Sequence, residues 1–316
     1  IAEYITKKVA DKLAGMCKTD KEEYDKYWDD ISPFIKFGCL KDDKFCEKMN
    51  DYILFKNLDG KYLTLPECLE IKPQDEEENK ENAVDENGNK VEAEVVGDKS
   101  EDEASEENAG EEKKEKIIYY VTDEQQQSQY INMFKKEGLD AVILSHNIDS
   151  PFITQMEQKN EHIKFQRIDA DLTDHFKEDV SEEEKEAFKE KTDSLVEIFR
   201  KALGNDKLEV KVEKMKDENV ASMITLSEES RRMQEMMKMY GMSGMDPSMF
   251  GTNATLILNA NHPLVEYVVA HKDGENTEMF CHQLYDLAML AHKPLSPEEM
   301  TEFVKRSNEI MMKLAK

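Results

Sequence analysis

The sequence predicts a mixed α/β (α+β) protein in which helical segments flank two regions of strands and helices. A β-branched and aromatic run at 117–121 precedes a predicted helix and a second apolar run at 141–144. This is the pattern of a β-α-β unit with parallel strands. Residues 208–212 alternate as a half-exposed strand does. Apolar residues recur at helical spacing in 1–56 and again in 276–316, which predicts helices at both ends of the chain.

The first 56 residues predict a small helical bundle. Between Asp20 and Leu40 the apolar residues share one broad helical face, which we expect to form the core of the bundle. These residues are Tyr24, Tyr27, Trp28, Ile31, Phe34 and Ile35. Pro33 predicts a kink or break, because proline removes a backbone donor from a helix. A third helix is expected to run from Phe45 to Ile53.

An abrupt change of composition follows a predicted turn and short helix at 61–70. The stretch 74–116 contains 18 acidic residues, six lysines and no aromatic residue. Such a stretch cannot bury enough apolar surface to offset the entropy lost on ordering it. It is predicted to be a disordered acidic insertion that serves as a solvated spacer. A role as an acidic lure for basic partners is the alternative.

Short-range signals place helices in the first α/β region. Thr122 and Gln125 have the spacing of a capping box, and Gly138 follows where that helix would end. Asp149-Ser150-Pro151 predicts the start of another helix. A third strand is expected at 163–168.

The last third of the chain predicts a second α/β region. Ser181 and Glu184 have capping-box spacing and are expected to open a long charged helix that Gly204 ends. The strand at 208–212 follows, and 220–226 is expected to pair with it. A further strand and a short helix complete the region, at 254–258 and 262–271, with His262 and Pro263 at the start of that helix.

Methionine is concentrated in one stretch, where nine of the 18 methionines lie between Met215 and Met249. The apolar positions at helical spacing are Met233, Met236, Met237 and Tyr240. Flexible methionine side chains adapt to apolar partners of different shapes, so this face predicts a promiscuous protein-binding surface. A buried core helix is the alternative, and from the residues alone it is the more frequent outcome.

The final two helices predict a homodimer, because apolar residues occur on more than one face of each helix and two-fold dimers are the commonest assemblies. The expected interface residues are Phe280, Leu284, Leu287, Ala291, Phe303, Val304, Ile310 and Leu314. Ser296 and Glu299 form a predicted capping box, with Pro297 at the first helical position. The alternative is that both helices pack only on their own domain.

Composition argues against several classes of function. The net charge of −27 is unfavourable for binding nucleic-acid phosphates, which requires clustered basic residues. The five cysteines include no CxxC pair, so neither a zinc site nor a disulfide framework is predicted, and free thiols suit a reducing cytosol. No apolar run reaches the ~18 residues that a membrane span needs.

Motifs for catalysis are also missing from the sequence. It contains no phosphate-binding loop, no HExxH and no GxSxG, and the seven histidines lack metal-ligand spacing. We therefore predict no catalytic residue, metal or cofactor in this chain. A binding or structural role is favoured over an enzyme.

Four blocks of sequence resemble, in order, the heat-shock protein 90 chaperones of the bacterial HtpG type. The blocks are YDKYWDDISPFIKFGCLKDDKF (24–45), DYILFKNLDGKYLTL (51–65), IIYYVTDEQQQSQYINMFKKEGLDAVIL (117–144) and FVKRSNEIMMKLA (303–315). Apart from the acidic insertion, the likeness extends over nearly the whole chain.

The resemblance implies a division into three parts. Residues 1–56 would form the helical coil of the middle domain, 57–204 its small α-β-α lobe, and 205–316 the C-terminal dimerisation and client-binding domain. The family's ATP-binding domain and catalytic-loop arginine would lie upstream of Ile1. We therefore expect no ATP hydrolysis by this chain, with ATP and Mg²⁺ used by the full-length parent.

The resemblance also implies a function and a set of contact residues. The chain would belong to a cytoplasmic, stress-related chaperone that binds unfolded or partly folded client proteins as a homodimer. The family's client-contacting helix corresponds to Met233, Met236, Met239 and Tyr240, and Met237 joins them by helical spacing. The middle-domain client patch corresponds to 149–156, which implies Phe152. A purely structural dimerisation module without a client surface is the alternative.

Overall fold

The computed structural model describes residues 2–70, 115–170, 174–239 and 254–315. Within these ranges the chain forms eleven α-helices and two sheets, which confirms the α/β fold class. The predicted acidic insertion lies outside the described residues except at its last two positions, Glu115 and Lys116.

Three helices open the chain: α1 (Ala2–Thr19), α2 (Lys21–Lys41) and α3 (Asp43–Met49). The carboxylates of Asp20 and Asp42 cap α2 and α3 by accepting backbone N–H bonds at 3.2 Å. Of the kink or break predicted at Pro33, the break does not occur, because α2 continues through it. Packing of its buried face offsets the missing hydrogen bond. The predicted third helix ends early: Asn50–Tyr52 form a 3₁₀ turn, and Ile53 lies between that turn and the first strand.

The aromatic face of α2 is narrower than predicted. Tyr24 and Trp28 are buried, whereas Tyr27 is 49% exposed and Phe34 is 78% exposed. At about 100° per residue, the two exposed rings lie roughly 60–80° around the helix from Tyr24. The buried stripe includes Ile35 but does not reach them.

The first sheet has five strands in the order β2-β1-β4-β3-β5. They are β1 (Leu54–Asn57), β2 (Tyr62–Thr64), β3 (Lys116–Val121), β4 (Val142–Ile143) and β5 (Ile163–Arg167). β3 runs parallel to both β4 and β5, which confirms the predicted β-α-β unit. The helices of this region are α4 (Leu65–Glu70), α5 (Ser128–Lys136) and α6 (Asp149–Lys159).

The predicted capping box before α5 does not form. Oε1 of Gln127 accepts the backbone N–H of Thr122 at 2.8 Å, and the Asp123 carboxylate accepts the N–H of Gln125 at 3.0 Å. These bonds stabilise a turn instead, so α5 begins only at Ser128. Gly138 lies just beyond the helix with φ 68°, where a left-handed residue closes it as predicted.

The second region contains α7 (Lys185–Leu203) and a three-stranded sheet. The strands are β6 (Glu209–Glu213), β7 (Ser222–Thr225) and β8 (Thr255–Asn259). The predicted pairing of the first two strands is wrong, because the fully buried β8 lies between them, parallel to β6 and antiparallel to β7. The Ser181 hydroxyl donates to the Glu184 side chain at 3.0 Å, and the Glu184 N–H bonds to the Ser181 carbonyl instead of to that hydroxyl. The predicted capping box therefore does not form, and α7 begins without a side-chain cap.

The remaining helices are α8 (Glu228–Met239), α9 (Pro263–Ala270), α10 (Thr277–His292) and α11 (Pro297–Leu314). Two predicted helix starts are confirmed. Nδ1 of His262 accepts the Leu264 N–H at 3.1 Å, and Ser296 and Glu299 form a complete capping box.

The described core consists of three clusters. One joins α1–α3 to the first sheet, and another joins α7, α9 and α10 to the second sheet. The third brings Val121, Tyr130 and Phe134 together with Met223 and Ile257. Since these residues come from both sheets, the third cluster fixes α8, which follows β7, beside the first sheet.

Candidate functional site

The helix α8 begins against the free edge of the first sheet, where β5 is an outer strand. Oε2 of Glu228 accepts a hydrogen bond from the backbone N–H of Arg167 at 3.1 Å. Oε1 of Glu228 accepts from the Tyr120 hydroxyl at 2.7 Å. Unpaired backbone groups on an edge strand invite pairing with other chains. Glu228 therefore covers part of this edge while it anchors the first turn of α8.

Arg232 extends this cover from the next turn of α8. Its guanidinium bonds to both carboxylate oxygens of Glu157 in α6, at 2.5 and 3.0 Å. It also donates to the backbone carbonyl of Phe165 at 3.2 Å and to Glu228 at 2.8 Å. Glu157 in turn accepts the Phe165 N–H at 2.6 Å. Bidentate arginine–carboxylate pairs are directional, so they fix the helix in one orientation.

Arg231 lies beneath this network and is almost fully buried. Its guanidinium lies over the Tyr120 ring at 5.2 Å from the ring centre, and it donates to Glu228 at 2.6 Å. Burial raises the pKa of the Glu228 carboxyl, although the Arg167 N–H and Arg232 act in the opposite direction. The groups around it therefore offset only part of the cost of burying this carboxylate.

The next turn of α8 exposes methionine side chains. Met233 is 36% exposed and Met236 is 46% exposed, whereas Met237 is buried at 6%. Of the methionine side chains that the structure describes on α8, Met237 is buried and anchors the helix, and Met233 and Met236 face outward. The side chain of Met239 and all of Tyr240 lie outside the described residues.

The two exposed methionines line an open groove of about 630 Å³. Its apolar lining includes Ile117 of β3, which is 46% exposed. The charged and polar groups around the groove are Glu115, Glu157, Lys164, Gln166, Glu228, Glu229 and Arg232. A mixture of exposed apolar side chains and charged groups is usual at protein-binding surfaces.

The terminal helix α11 presents a second apolar surface, and none of its described residues is buried. Its exposed apolar residues, with exposed fractions, are Met300 37%, Val304 49%, Met311 58%, Met312 65% and Leu314 83%. Leu287 of α10 is also 47% exposed. Several exposed apolar side chains along one helix are typical of an interaction surface.

A polar layer joins α11 to α10. Nε2 of Gln283 donates to Ser307 at 3.1 Å, and its Oε1 accepts from Arg306 at 3.0 Å. Arg306 also bonds to Asp286. Burial raises the pKa of Asp286 in spite of this partner. The layer sets the orientation of α11 while its apolar side chains remain exposed.

The sequence profile of the family described as "Hsp90 protein" matches residues 107–316. The chain belongs to the Hsp90 family. A relative from Bacteroides thetaiotaomicron, named chaperone protein HtpG, is 30% identical over 98% of this chain and 39% of its own length. The Bacteroides fragilis protein of that name is 30% identical over 87% of this chain and 36% of its own length. A chaperone protein HtpG from Porphyromonas gingivalis is 26% identical over 85% of this chain and 35% of its own length. The chain thus spans less than two fifths of the length of each of these three Hsp90 relatives.

The predicted client and interface residues of this Hsp90 family member occupy different environments. Phe152 is fully buried, and the ammonium of Lys36 lies 5.8 Å from its ring centre. Lys36 also forms a buried ion pair with Asp149 at 2.5 Å. Phe152 therefore shields an internal ion pair and offers no surface to a client in this conformation.

The predicted interface residues include buried, partly buried and exposed side chains. Leu284 is buried in the core of its own chain. Phe280 and Phe303 are partly buried against that core, and Ala291 is partly buried against the third cluster. Ile310 is partly buried. Leu287, Val304 and Leu314 are exposed.

One buried polar cluster was not predicted. Asp169 is bound by the Arg167 guanidinium at 2.7 Å and lies 3.3 Å from Nδ1 of His292. Its backbone carbonyl accepts the N–H of Leu226 just before α8. Burial alone would raise the Asp169 pKa, but His292 and Arg167 lower it to about 2. The RIDAD segment around Asp169 gave a faint signal, since an aspartate after a strand often has a buried partner.

Neither a metal cluster nor a membrane helix occurs in the part of the chain that the structure describes. No group of three or more His, Cys, Asp or Glu side chains there could hold a metal ion. None of the described helices is long and apolar enough to cross a membrane.

Proposed function

We propose that this chain is the middle and C-terminal part of an Hsp90-type molecular chaperone that binds unfolded or partly folded proteins as a homodimer. The observation that carries the proposal is the pair of exposed methionines, Met233 and Met236, on a helix that ion pairs hold against a sheet edge. Membership of the Hsp90 family and relatives that are named chaperones support it.

The proposal divides the chain into three parts. Residues 1–56 are the helical coil and 57–204 the small lobe of the middle domain. Residues 205–316 are the dimerisation and client-binding domain. ATP and Mg²⁺ act in the full-length cytoplasmic parent, through a domain outside this sequence. The chain's own contribution is to hold clients and to join two protomers.

The geometry suits weak and tolerant client binding. The groove beside Met233 and Met236 is open, and its apolar contacts come from flexible thioethers and Ile117. Such contacts adapt to many side chains without selecting one sequence. Charged side chains that line the groove are hydrated when no client is bound. Affinity should therefore be modest and should depend on exposed apolar segments in the client.

A decisive experiment replaces the two exposed methionines together, as Met233→Asp/Met236→Asp. Fluorescence anisotropy would report binding of a reduced, alkylated polypeptide that cannot refold. Two carboxylates in the groove should weaken binding by about 10-fold or more, since each buried methionine contributes on the order of 1.5–3 kcal/mol. Sedimentation should show that the assembly state is unchanged.

The matched control is Leu264→Asp on α9, where the leucine is 39% exposed but does not line the groove. Its client affinity should equal that of the unmodified chain. If the unmodified chain, the double methionine variant and Leu264→Asp all bind the polypeptide with equal affinity, Met233 and Met236 do not form the client site.

A structural dimerisation module is the second candidate, favoured by the burial of Met237 and by the exposed apolar surface of α11. Hydrogen exchange distinguishes the two functions. Addition of the unfolded polypeptide should protect amides of α8 and of the β3 end near Ile117. An exchange pattern that the polypeptide leaves unchanged would favour the structural role.

A further inference from the structure

The strand β5 has one side paired with β3 and the other side at the edge of the first sheet. On the paired side, the N–H of Ile168 donates to the Tyr120 carbonyl of β3 at 3.0 Å. Successive residues of a strand direct their backbone groups to opposite sides, so Phe165 and Arg167 direct theirs away from β3. These outward N–H and C=O groups are the ones to which a further strand adds.

Two charged side chains occupy this edge in the way that a neighbouring strand would. Glu157 accepts the Phe165 N–H at 2.6 Å, and Arg232 donates to the Phe165 carbonyl at 3.2 Å. One residue of an added antiparallel strand makes the same two bonds, because a hydrogen-bonded pair exchanges an N–H···O=C bond in each direction. The Glu157–Arg232 pair therefore satisfies the Phe165 backbone in place of another strand.

The covered edge opens onto the groove beside α8. Glu157, Phe165 and Arg232 all line that groove, together with the exposed Met233 and Met236. The side chains of Glu157 and Arg232 are both partly exposed to solvent. A polypeptide segment in the groove therefore lies next to the two side chains that cover the Phe165 backbone.

The Glu157–Arg232 pair can leave Phe165 without separating its charges. Arg232 bonds to both carboxylate oxygens of Glu157, at 2.5 and 3.0 Å, so the two side chains can move together. The two bonds that Phe165 loses are replaced by two bonds to the incoming segment, and such an exchange is nearly neutral in free energy. Arg232 gives up its bond to Glu228, but Glu228 keeps its bond to the buried Arg231 at 2.6 Å.

We propose that an extended segment of an unfolded client adds to β5 as a further strand of the first sheet and displaces the Glu157–Arg232 pair from Phe165. This inference rests on the client-binding function proposed above and specifies how the client is held. Backbone pairing suits a client of any sequence, because every residue except proline carries the same N–H and C=O groups. Met233 and Met236 then contact the side chains that the client directs into the groove.

The test compares two synthetic peptides that differ only in their backbones. Both alternate valine and threonine and carry a lysine at each end. In the second peptide, esters replace the central amides, which removes N–H donors and weakens the carbonyl acceptors without adding bulk. Fluorescence anisotropy with the unmodified chain should show about 10-fold weaker binding of the ester peptide, because its bonds to Phe165 are lost or weakened. Equal affinity for the two peptides would overturn the proposal, and no folding defect can obscure this result.

Variants of the chain test whether β5 is the strand that pairs. Glu157→Leu/Arg232→Met removes the competing side chains, so the amide peptide should bind about threefold more tightly or better. The control is Glu229→Gln, at an exposed position of α8 that lines the same groove, and it should leave the affinity unchanged. If the double variant does not bind more tightly, strand addition at β5 is rejected. Association of that variant with itself in sedimentation without peptide would assign the edge to a second copy instead.

The variant Met233→Asp/Met236→Asp separates this inference from the function on which it rests. Weaker binding of both peptides by this variant, with no difference between amide and ester, would leave the client site in place and reject strand addition. If neither peptide binds the unmodified chain, both the client site and strand addition are rejected.

Discussion

The helices α8 and α11 both expose apolar side chains, but they are held in opposite ways. Three charged residues fix α8, with Glu228 and Arg232 bonded to the backbone of β5 and Arg231 buried beneath. None of the described residues of α11 is buried, and a polar layer on α10 together with the partly buried Phe303 joins it to the rest of the chain. Among the side chains that the structure describes, the anchored helix exposes two methionines, whereas the less firmly joined helix exposes five apolar residues.

This difference indicates different partners. A small adaptable surface on a fixed support suits transient contact with variable chains. A whole apolar helix face is costly to leave in water and suits permanent burial, most simply against a second copy of itself. The contrast leads us to expect that self-association depends on α11 and client contact on α8, and that each can be disrupted without the other.

The largest expected effect is the loss of self-association in Val304→Asp/Met311→Asp. Both residues are exposed on α11, and burying two unpaired carboxylates at an interface should weaken association by about 100-fold or more, ~3 kcal/mol. Sedimentation velocity over a dilution series measures the change. Leu264→Asp, which adds a charge elsewhere, is the control. Equal association of the double variant and the control would rule out α11 as the interface.

The next effect concerns the anchor of α8. Arg232→Met keeps the apolar stem but leaves the carboxylates of Glu157 and Glu228 without their shared cation. We expect a loss of roughly 2–3 kcal/mol in unfolding free energy, somewhat below the range for fully buried pairs, because the Arg232 side chain is 23% exposed. Urea unfolding measures it. Lys305→Met removes an exposed pair with Glu302 and should change stability by less than about 0.5 kcal/mol. Similar losses in both variants would contradict an anchoring role for Arg232.

Asp169 links the two regions, since it contacts the segment before α8 and His292 at the end of α10. Its folded pKa of about 2 lies below the unfolded value of ~3.9. The stabilisation is therefore fully present above about pH 4 and is lost as the pH falls towards 2.

Asp169→Asn should accordingly lower the unfolding free energy by roughly 2 kcal/mol at neutral pH. The difference from the unmodified chain should shrink as the pH falls through the acid range. Asp206→Asn, at an exposed position, is the control and should show no such pH-dependent difference. A difference for Asp169→Asn that stays constant from pH 7 to pH 3 would mean that lost packing, and not the carboxylate charge, causes the effect.

Short-range signals predicted much of the fold. The capping box at Ser296 and Glu299, the closing Gly138 and the parallel strands β3 and β4 all depend on residues close in sequence. The predicted strand pairing that was wrong depends on a distant partner, whereas the two capping boxes that failed were decided by neighbouring side chains. β8 inserts between β6 and β7 although it follows both, and no local pattern of apolar residues encodes strand order.

Local sequence patterns also predicted the candidate site only in part. Helical spacing identified Met233 and Met236, but the spacing also included Met237, which is buried. The periodicity of α8 cannot reveal that Glu228 binds a backbone N–H 61 residues away. The exposed Phe34 of α2 demonstrates the converse, because a residue at the border of an apolar stripe is buried only if a neighbouring element covers it.

The smallest expected effect separates flexibility from apolar area on α8. Met233→Leu/Met236→Leu keeps the side-chain volume nearly constant but replaces unbranched thioethers with stiffer branched chains. For one unfolded polypeptide the affinity should change by less than about threefold, under ~1 kcal/mol. Across a panel of unrelated polypeptides the spread of affinities should widen, because leucine fits fewer shapes. The control, Met311→Leu/Met312→Leu on α11, should leave that spread unchanged. If the α8 variant binds the panel with the same spread of affinities as the unmodified chain, apolar area alone explains why the site accepts different polypeptides. The difference between an adaptable α8 and a permanently buried α11 must then come from how each helix is anchored.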